Sequence, residues 1–283
     1  MKLRDKVAII TGGSRGIGKA IAKAFLQNGA RVTICARSLI EIDNTVQDLR
    51  SKGEIFGIVI DVSREEDVQN LVEQTLSRYE GLDILVNAAG VQGPIGPLIE
   101  VDIQEWIKNI HINLIGTVLC CKHLLPIMIN KKRGKIINFS GGGATLPRPN
   151  FSAYACSKTA IVRFTEILAL EVKGYGIDVN AIAPGAVNTR MLNEIINAGD
   201  KAGEQELLEA IERSKKGGTL PELAAELAVF LASEDSNGLT GRLISTVWDD
   251  WRNFEKDNIR KIIDSSIYTL RRIDGRNFME QKP

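Results

Sequence analysis

Apolar and polar residues follow two patterns along the first 247 positions. The run 7–11, Val-Ala-Ile-Ile-Thr, is nearly all apolar and ends in glycines, which is typical of a strand buried on both faces. The next apolar residues recur at helical spacing, at Ile17, Ala20, Ile21, Ala24 and Phe25. The chain is therefore predicted to open with a strand, a glycine turn (residues 11–18) and a helix.

The same two patterns repeat along the chain. Further strands are predicted at 31–36, 54–60, 82–86, 135–140, 177–183 and 242–247, and further helices at 39–50, 64–79, 102–132, 151–173 and 222–232. The helix at 102–132 is expected to be interrupted near Gly116. Strands that alternate with helices are joined by right-handed crossovers, so we predict an α/β fold with a parallel sheet.

Two segments depart from this alternation. Residues 188–218 are polar, contain glycines and have a weak helical pattern, and we expect them to form a mobile substrate flap. We therefore divide the chain into a domain at 1–247 and a C-terminal tail at 248–283, which packs on the body or a partner subunit or shapes the substrate pocket. An amphipathic helix is predicted in the tail from Trp251, Phe254, Ile259, Ile262 and Ile263, and a strand or extended segment at 268–273.

The composition is that of an ordinary globular chain. Of the 283 residues, 36 are basic and 35 acidic, and the net charge of +1 gives no general attraction to nucleic acid or anionic membrane. No apolar run reaches the roughly 18 residues that span a bilayer, so we expect a cytoplasmic protein with no membrane contact. The four cysteines do not have the spacing of a zinc site or of a redox-active pair. No cluster of carboxylates or cysteines accompanies His111 or His123, so no metal site is expected.

Candidate chemistry lies where the predicted strands end. Distinctive short segments occur at 11–18, 36–38, 61–62 and 87–90, each directly after an apolar run. In parallel α/β sheets, ligands bind at the carboxyl ends of the strands. The glycine turn suits a phosphate, because glycine lets the backbone approach the ligand and the following helix N-terminus stabilises its negative charge.

Two phosphate-binding motifs fit the glycine turn in part. Residues 13–19, Gly-x4-Gly-Lys, nearly match a P-loop, but Ala20 stands where a P-loop needs the Ser or Thr that binds Mg²⁺. The other motif is a dinucleotide-binding turn built on Gly12, Gly16 and Gly18. A P-loop NTPase is therefore kept as an alternative.

A tyrosine and a lysine form the second candidate site. The segment 151–171 contains no glycine or proline, so Tyr154 and Lys158, four residues apart, are expected to share one face of a helix. A neighbouring ammonium favours the phenolate and is expected to lower the pKa of Tyr154 from about 10. The pair would then donate and accept a proton near neutral pH. A solvated Tyr–Lys pair is the alternative.

The motifs together resemble those of the short-chain dehydrogenase/reductase family over roughly residues 4–247, and most resemble its 3-oxoacyl-ACP-reductase-like branch. They occur in the family's order: Gly12-x3-Gly16-x-Gly18, Asn87-Ala-Ala-Gly90, Asn113, Tyr154-x3-Lys158 and Asn180-Ala-Ile-Ala-Pro184-Gly185. The resemblance implies a doubly wound, Rossmann-type domain with a seven-stranded parallel sheet and helices on both faces. It also implies NAD(P)-dependent hydride transfer between a carbonyl and an alcohol, a small-molecule substrate, and a homo-oligomer, dimer or tetramer.

The resemblance also implies roles for individual residues. Tyr154 would be the acid and base, Lys158 would hold the cofactor ribose and lower the pKa of Tyr154, and Asn113 would anchor a water of the proton relay. The residues implied to bind the cofactor are Gly12, Ser14, Arg15, Gly16, Ile17, Gly18, Arg37, Ser38, Asp61, Val62, Asn87, Ala88, Gly90, Tyr154, Lys158, Pro184, Gly185, Val187 and Thr189.

One position departs from the family pattern. The family usually has a serine thirteen residues before the tyrosine, where it polarises the substrate carbonyl, and this chain has Gly141. Ser140, Ser152 or a water is expected to replace that donor, and a serine restored at 141 is expected to leave cofactor binding unchanged. The loss of one such donor costs on the order of 3 kcal/mol in the transition state. The departure leaves open a catalytically degraded, dinucleotide-binding sensor.

The end of the second predicted strand bears on the cofactor. It reads Ala36-Arg37-Ser38 and has no carboxylate, the group that accepts hydrogen bonds from the ribose hydroxyls of NAD. Arg37 and Arg15 are expected to bind a 2′-phosphate instead, because a guanidinium binds phosphate in a fork. The sequence therefore predicts that NADP(H) is preferred over NAD(H). A sugar-type or nucleotide-linked compound and a 3-oxoacyl thioester are the substrate classes considered.

Overall fold

The computed structural model describes residues 1–273 of the chain. Its sheet has seven strands, all parallel, in the order β3-β2-β1-β4-β5-β6-β7. The strands are β1 Val7–Thr11, β2 Arg31–Ala36, β3 Ile55–Val59, β4 Ile84–Asn87, β5 Gly134–Phe139, β6 Ile177–Ala183 and β7 Leu243–Ser245. The strand order reverses between β1 and β4, which opens a crevice at the carboxyl ends of these two strands.

Helices cover both faces of the sheet. They are α1 Gly16–Gln27, α2 Leu39–Leu49, α3 Glu65–Tyr79, α4 Ile103–Ile110, α5 Gly116–Lys131, α6 Ser152–Glu171, α7 Arg190–Ala198, α8 Glu204–Lys216, α9 Pro221–Ala232 and α10 Lys256–Ile263. Successive residues of a strand point to opposite faces, so Ile10 packs in the core beside α1 and α9 while Ile9 packs in the core beside α3 and α5. The predicted doubly wound α/β fold is confirmed.

The helix predicted at 102–132 is continuous, but it contains a single π turn at His111–Ile115. The expected interruption at Gly116 is therefore a widened turn that ends at this glycine. A Cβ atom at Gly116 would lie 2.8 Å from Cγ2 of Val62, so the glycine serves close packing against the segment after β3. Such π turns often accompany functional sites, and this one contains Asn113.

One helix of the described chain, Ile103–Lys131, is long and apolar enough to cross a bilayer by length and composition. This corrects the expectation that no such segment exists, since Lys122 divides the apolar run but leaves the average hydropathy high. Of its most apolar window, 44% is buried within the structure. Its α5 part packs against α3 and the sheet, so core packing accounts for much of its apolar character.

The flap, residues 188–218, is not weakly helical as predicted. It holds two helices, α7 with nine residues and α8 with thirteen. Leu192 and Ile195 of α7 and Ala210 of α8 are buried with Phe151, the residue just before α6. This small apolar cluster, which spans segments far apart in sequence, stabilises helices that a local pattern underestimates.

The described part of the tail packs on the body. Its aromatic residues extend the core, since the rings of Trp251 and Phe230 of α9 lie 6.0 Å apart. Arg242 donates to the carbonyls of Ile262 and Ile263 at 2.8 and 2.9 Å, which caps the end of α10. Of the strand or extended segment predicted at 268–273, the strand does not form. Among the described residues, one backbone bond joins this segment to β7, from Leu243 N to the carbonyl of Tyr268 at 2.8 Å. The rest of the tail lies outside the described residues.

Candidate active site

A cavity of about 700 Å³ lies in the crevice where the strand order reverses. We call it the switch-point cavity. Residues after β1, β2, β3 and β4 line its floor, and the flap covers it with residues 188–194 and Ser214. The predicted cofactor-binding residues that line it are Gly12, Ser14, Arg15, Gly16, Ile17, Gly18, Arg37, Ser38, Asp61, Val62, Ala88, Gly90 and Thr189.

The glycine turn is shaped for close backbone approach. Gly12 has a φ of +65°, and a Cβ atom there would lie 2.8 Å from the Cα of Ala89. A Cβ at Gly18 would lie 2.3 Å from the carbonyl oxygen of Gly12. Helix α1 begins at Gly16 on the wall of the cavity. An elongated cavity with a bare backbone turn and a helix N-terminus in its wall fits a phosphate-bearing ligand.

Gly90 connects this cavity to the predicted catalytic residues. A Cβ atom at Gly90 would lie 3.3 Å from Oδ1 of Asn113 and 3.6 Å from Nζ of Lys158. Lys158 is buried, and its Nζ donates to the carbonyl of Phe139 at 2.9 Å. The same Nζ lies 5.7 Å from the centre of the Tyr154 ring. The structure therefore brings Asn113, Tyr154 and Lys158 together behind Gly90, although none of the three is part of the cavity wall.

Asn113 is held by a dense set of hydrogen bonds. Its Oδ1 accepts from Val91 N at 2.8 Å, and its Nδ2 lies 3.0–3.1 Å from the carbonyl of Val91, Oδ1 of Asn109 and Oγ of Ser157. The side-chain amide thus joins the segment after β4 to α4 and α6. The backbone carbonyl accepts from Oγ1 of Thr117 at 2.8 Å.

Other predicted cofactor residues do not line the cavity. Asn87 points into the interior, where its Nδ2 donates to Oδ1 of Asn138 at 2.9 Å. Pro184, Gly185 and Val187 lie on the segment after β6 but outside the cavity wall, and Val187 forms a β-bridge with Thr219. A position after a strand end places a residue near the crevice, but it does not fix the direction of the side chain.

Sequence reasoning missed Glu41 as a cavity residue. Its carboxylate accepts from Oγ of Ser14 at 3.2 Å and pairs with Nη1 of Arg15 at 3.1 Å. The sequence did carry a signal, because Ser38-x-x-Glu41 is a capping-box pattern that places Glu41 in the first turn of α2. The carboxylate of Glu41 in the cavity wall therefore comes from α2 and not from the end of β2.

A further missed feature is the ion pair between Arg148 and Glu206. It joins the loop between β5 and α6 to α8 of the flap, with N–O distances of 2.6 and 2.8 Å. No sequence pattern indicates this pair, since the two residues are 58 positions apart.

The chain is similar to known oxidoreductases over most of its length. A family model described as short chain dehydrogenase matches residues 6–199. The chain belongs to the short-chain dehydrogenase/reductase family. It is 35% identical over 243 residues to Dehydrogenase/reductase SDR family member 4 of Sus scrofa, covering 86% of each chain, and 34% identical to the Homo sapiens protein of that name with the same coverage.

Two solved structures share the fold of this short-chain dehydrogenase/reductase. Levodione reductase is 29% identical with a TM-score of 0.79, over 86% of this chain and 96% of that one. NAD⁺-bound xylitol dehydrogenase is 25% identical with a TM-score of 0.81, over 87% and 98% of the two chains.

The chain is therefore an NAD(P)-dependent oxidoreductase, and its cavity fits the dinucleotide. The P-loop alternative is wrong. Lys19, which would have to reach the phosphates, pairs instead with Oδ2 of Asp48 at 2.6 Å and is not part of the cavity wall. The sensor alternative is set aside as well, because the matched relatives are dehydrogenases and reductases.

The expected effect of Lys158 on Tyr154 needs correction. Burial raises the pKa of the Tyr154 phenol, and the opposing influence comes from the positive charge of Arg148 rather than from Lys158. Lys158 is itself buried, and burial lowers its pKa to about 8. An ammonium that is already costly to keep charged gives the phenolate little support.

At position 141, where the family usually has a serine, the Tyr154 hydroxyl fills the space of a side chain. A Cβ atom at Gly141 would lie 2.3 Å from the hydroxyl of Tyr154, so the tyrosine occupies the space that a side chain at 141 would need. Ser140 is buried beside it, its backbone N donates to the carbonyl of Ile182 at 2.9 Å, and its Oγ has no partner among the described residues. Ser140 is thus an unpaired hydroxyl next to the site.

Because Tyr154 occupies this space, a side chain introduced at position 141 is expected to displace its hydroxyl. Gly141→Ala should lower kcat by about 10–100-fold, because the new Cβ displaces the Tyr154 hydroxyl and an error of about 1 Å at the reacting group costs on this order. Gly141→Ser adds the same Cβ plus a donor, so the ratio of the two kcat values measures the donor alone. Wild-type activity in Gly141→Ala would show that Tyr154 is not held against this glycine.

Proposed function

We propose that the enzyme interconverts a carbonyl and a secondary alcohol of a small molecule, with NADP(H) as the preferred cofactor. One observation carries this proposal: Tyr154, Lys158 and Asn113 lie together behind Gly90, which lines the switch-point cavity. The nicotinamide of the bound dinucleotide supplies or accepts the hydride. A proton must then enter or leave at the substrate oxygen.

The chain's own residues handle that proton. The Tyr154 hydroxyl is the group that gives or takes it, because it is buried behind Gly90 in the company of Lys158. Lys158, whose Nζ lies 5.7 Å from the centre of the Tyr154 ring, would hold the cofactor. A relay water would bind at Asn113, whose side chain is fixed in place by its hydrogen bonds.

The preference for NADP(H) rests on the charges around the mouth of the cavity. Arg37 lines the cavity and makes no ion pair or hydrogen bond within residues 1–273. Arg15 lines it too, but Glu41 neutralises part of its charge. A 2′-phosphate would pair with Arg37 directly and would compete with Glu41 for Arg15. Arg37 is therefore the residue on which discrimination mainly depends.

The cofactor proposal is tested by titrating NADPH and NADH against Arg37→Ala. We expect the Kd for NADPH to rise by about 10–100-fold, since a hydrogen bond to a charged group contributes about 1.5–3 kcal/mol, and the Kd for NADH to stay within about twofold. Arg50→Ala, which removes the same charge from the end of α2 outside the cavity, is the control. Equal affinity of the wild type for both cofactors would end the proposal.

The substrate belongs to the proposal as well. Sugar-type or nucleotide-linked carbonyls and 3-oxoacyl thioesters are the classes considered, and the similarity to xylitol dehydrogenase supports a polyol or ketosugar. A substrate panel followed at the NADPH absorbance separates these classes. We also propose a homo-oligomer, supported by the exposed Ile115 at the end of the π turn and the exposed Ile167 and Leu170 on α6. A cytoplasmic location is proposed as well, supported by the free thiols of the buried cysteines.

A further inference from the structure

The loop between β5 and α6, residues 140–151, carries an arginine that is held on both sides. Nε and Nη2 of Arg148 donate to the two carboxylate oxygens of Glu206 at 2.6 and 2.8 Å. The guanidinium carbon lies 3.8 Å from the centre of the Phe151 ring. The two charged side chains are only 15% and 25% exposed. A forked, stacked and mostly buried arginine has a single well-defined position.

Both partners of Arg148 belong to the contact between the flap and α6. Glu206 lies on α8 of the flap, and Phe151, which directly precedes α6, is buried in the flap's own apolar cluster with Leu192 and Ile195. The flap therefore meets the Tyr154 helix through apolar packing on Phe151 and an ion pair to Arg148. Phe151 and Tyr154 are three positions apart, so the contact lies about one helical turn from the acid/base.

The remaining nitrogen of Arg148 lies beside the glycines that follow β5. A Cβ atom at Gly142 would lie 3.5 Å from its Nη1, and the neighbouring Gly141 abuts the Tyr154 hydroxyl. The positive charge of Arg148 acts on the pKa of Tyr154, in the direction opposite to burial. Glu206 is ionised, because the hydrogen bonds from Arg148 lower its pKa. The carboxylate thus moderates the charge that Tyr154 experiences.

We propose that the Arg148–Glu206 ion pair latches the flap onto the start of α6, and that Arg148 is a positioning residue whose charge adjusts Tyr154. The inference rests on the proposed role of Tyr154 as acid and base. Arg148 then has two roles. Its ion pair with Glu206 holds the flap against α6, and its charge influences the proton affinity of the Tyr154 hydroxyl.

The charged groups around Tyr154 make the electrostatic part testable. They are Lys158 on α6, Arg148 on the loop, and Glu206 on the flap, with Arg213 beside Glu206. Removing only the negative partner leaves an uncompensated cation, which lowers the pKa of Tyr154. Removing only the positive partner leaves an anion, which raises the pKa of Tyr154. The two substitutions are therefore expected to shift this pKa in opposite directions.

The experiment compares the pH profiles of kcat for Glu206→Gln and Arg148→Gln. We expect the midpoint of the basic limb to fall by roughly half a pH unit or more in Glu206→Gln and to rise by a similar amount in Arg148→Gln. Two variants that merely break the same structural contact would shift together. Shifts in one direction, or no shift in either, would overturn the electrostatic role. Arg148→Lys keeps the cation and should keep the wild-type midpoint, which covers the case in which Arg148→Gln does not fold.

The latch is tested separately by limited trypsin digestion of the full-length protein with mass spectrometry, which needs no turnover. The flap offers the exposed Lys201, Lys215 and Lys216 as cleavage sites. We expect cleavage there to be roughly tenfold faster or more in Glu206→Gln, because one partner of a mostly buried ion pair is lost. Glu212→Gln, which removes the exposed partner of Lys216 on the same helix, is the matched control. Unchanged cleavage in Glu206→Gln would overturn the latch, whereas absent wild-type turnover would bear only on the proposed function.

Discussion

Tyr154→Phe is expected to lower kcat by about 10²–10⁴-fold, the usual contribution of a general acid or base. The substitution keeps the ring, which is buried against Gly141, and removes only the hydroxyl. The hydroxyl makes no hydrogen bond to another described residue, so its removal leaves no buried partner unsatisfied. We therefore expect the Tm and the Kd for NADPH to stay close to those of the wild type.

The matched control is Tyr79→Phe. Tyr79 is also buried, but it lies on α3 away from the cavity. Single-turnover kinetics with saturating NADPH compare the two variants without interference from product release. Near-normal turnover in Tyr154→Phe, or an equal loss in Tyr79→Phe, would show that Tyr154 is not the proton donor.

Lys158→Met is expected to reduce turnover by roughly 10²-fold and to weaken NADPH binding, because a buried charged hydrogen-bond donor facing the cofactor contributes about 1.5–3 kcal/mol. The same substitution should change how stability depends on pH. Burial lowers the pKa of Lys158 to about 8 in the folded protein, against about 10.4 in an unfolded chain. Between these pH values the unfolded state binds more protons, so the free energy of unfolding rises with pH.

Methionine has no such titration. The stability of Lys158→Met relative to the wild type should therefore be greatest below pH 8 and should fall as the pH rises from about 8 towards 10. Below pH 8 the gain in the free energy of unfolding is on the order of 3 kcal/mol, less the contribution of the lost hydrogen bond to the Phe139 carbonyl. Urea titrations of both proteins across this range measure the difference, in which the titration of cysteines and tyrosines cancels. A pH-independent difference would show that Lys158 is charged at no cost in the free enzyme.

Both predictions concern residues that the sequence identified, but the structure changes the expected pKa values of these residues. The spacing of Tyr154 and Lys158 predicted their shared face, because a helix repeats every 3.6 residues whatever surrounds it. The expected lowering of the tyrosine pKa did not follow. Spacing says nothing about burial, and burial is the largest influence on both groups.

The site shows the same division. The glycine turn, Arg37 and Asp61 could be placed in the cavity from sequence, since they follow strands that end at one edge of a parallel sheet. Glu41 and the Arg148–Glu206 pair could not, because they come from helices and loops whose side-chain directions depend on packing. Asn87 was placed by its motif, yet its side chain turns towards Asn138 and away from the cavity.

The sequence by itself determined the strands, the main helices and the edge of the sheet where the cofactor binds. Each depends on local periodicity or on glycine in a tight turn, and these act over a few residues. Only the tertiary structure decided how the flap folds, what the tail covers and which charges reach Tyr154. Those outcomes depend on contacts such as Phe151 with Leu192, Tyr268 with Leu243, and Arg148 with Glu206, whose partners lie far apart in the chain and meet only in the folded structure.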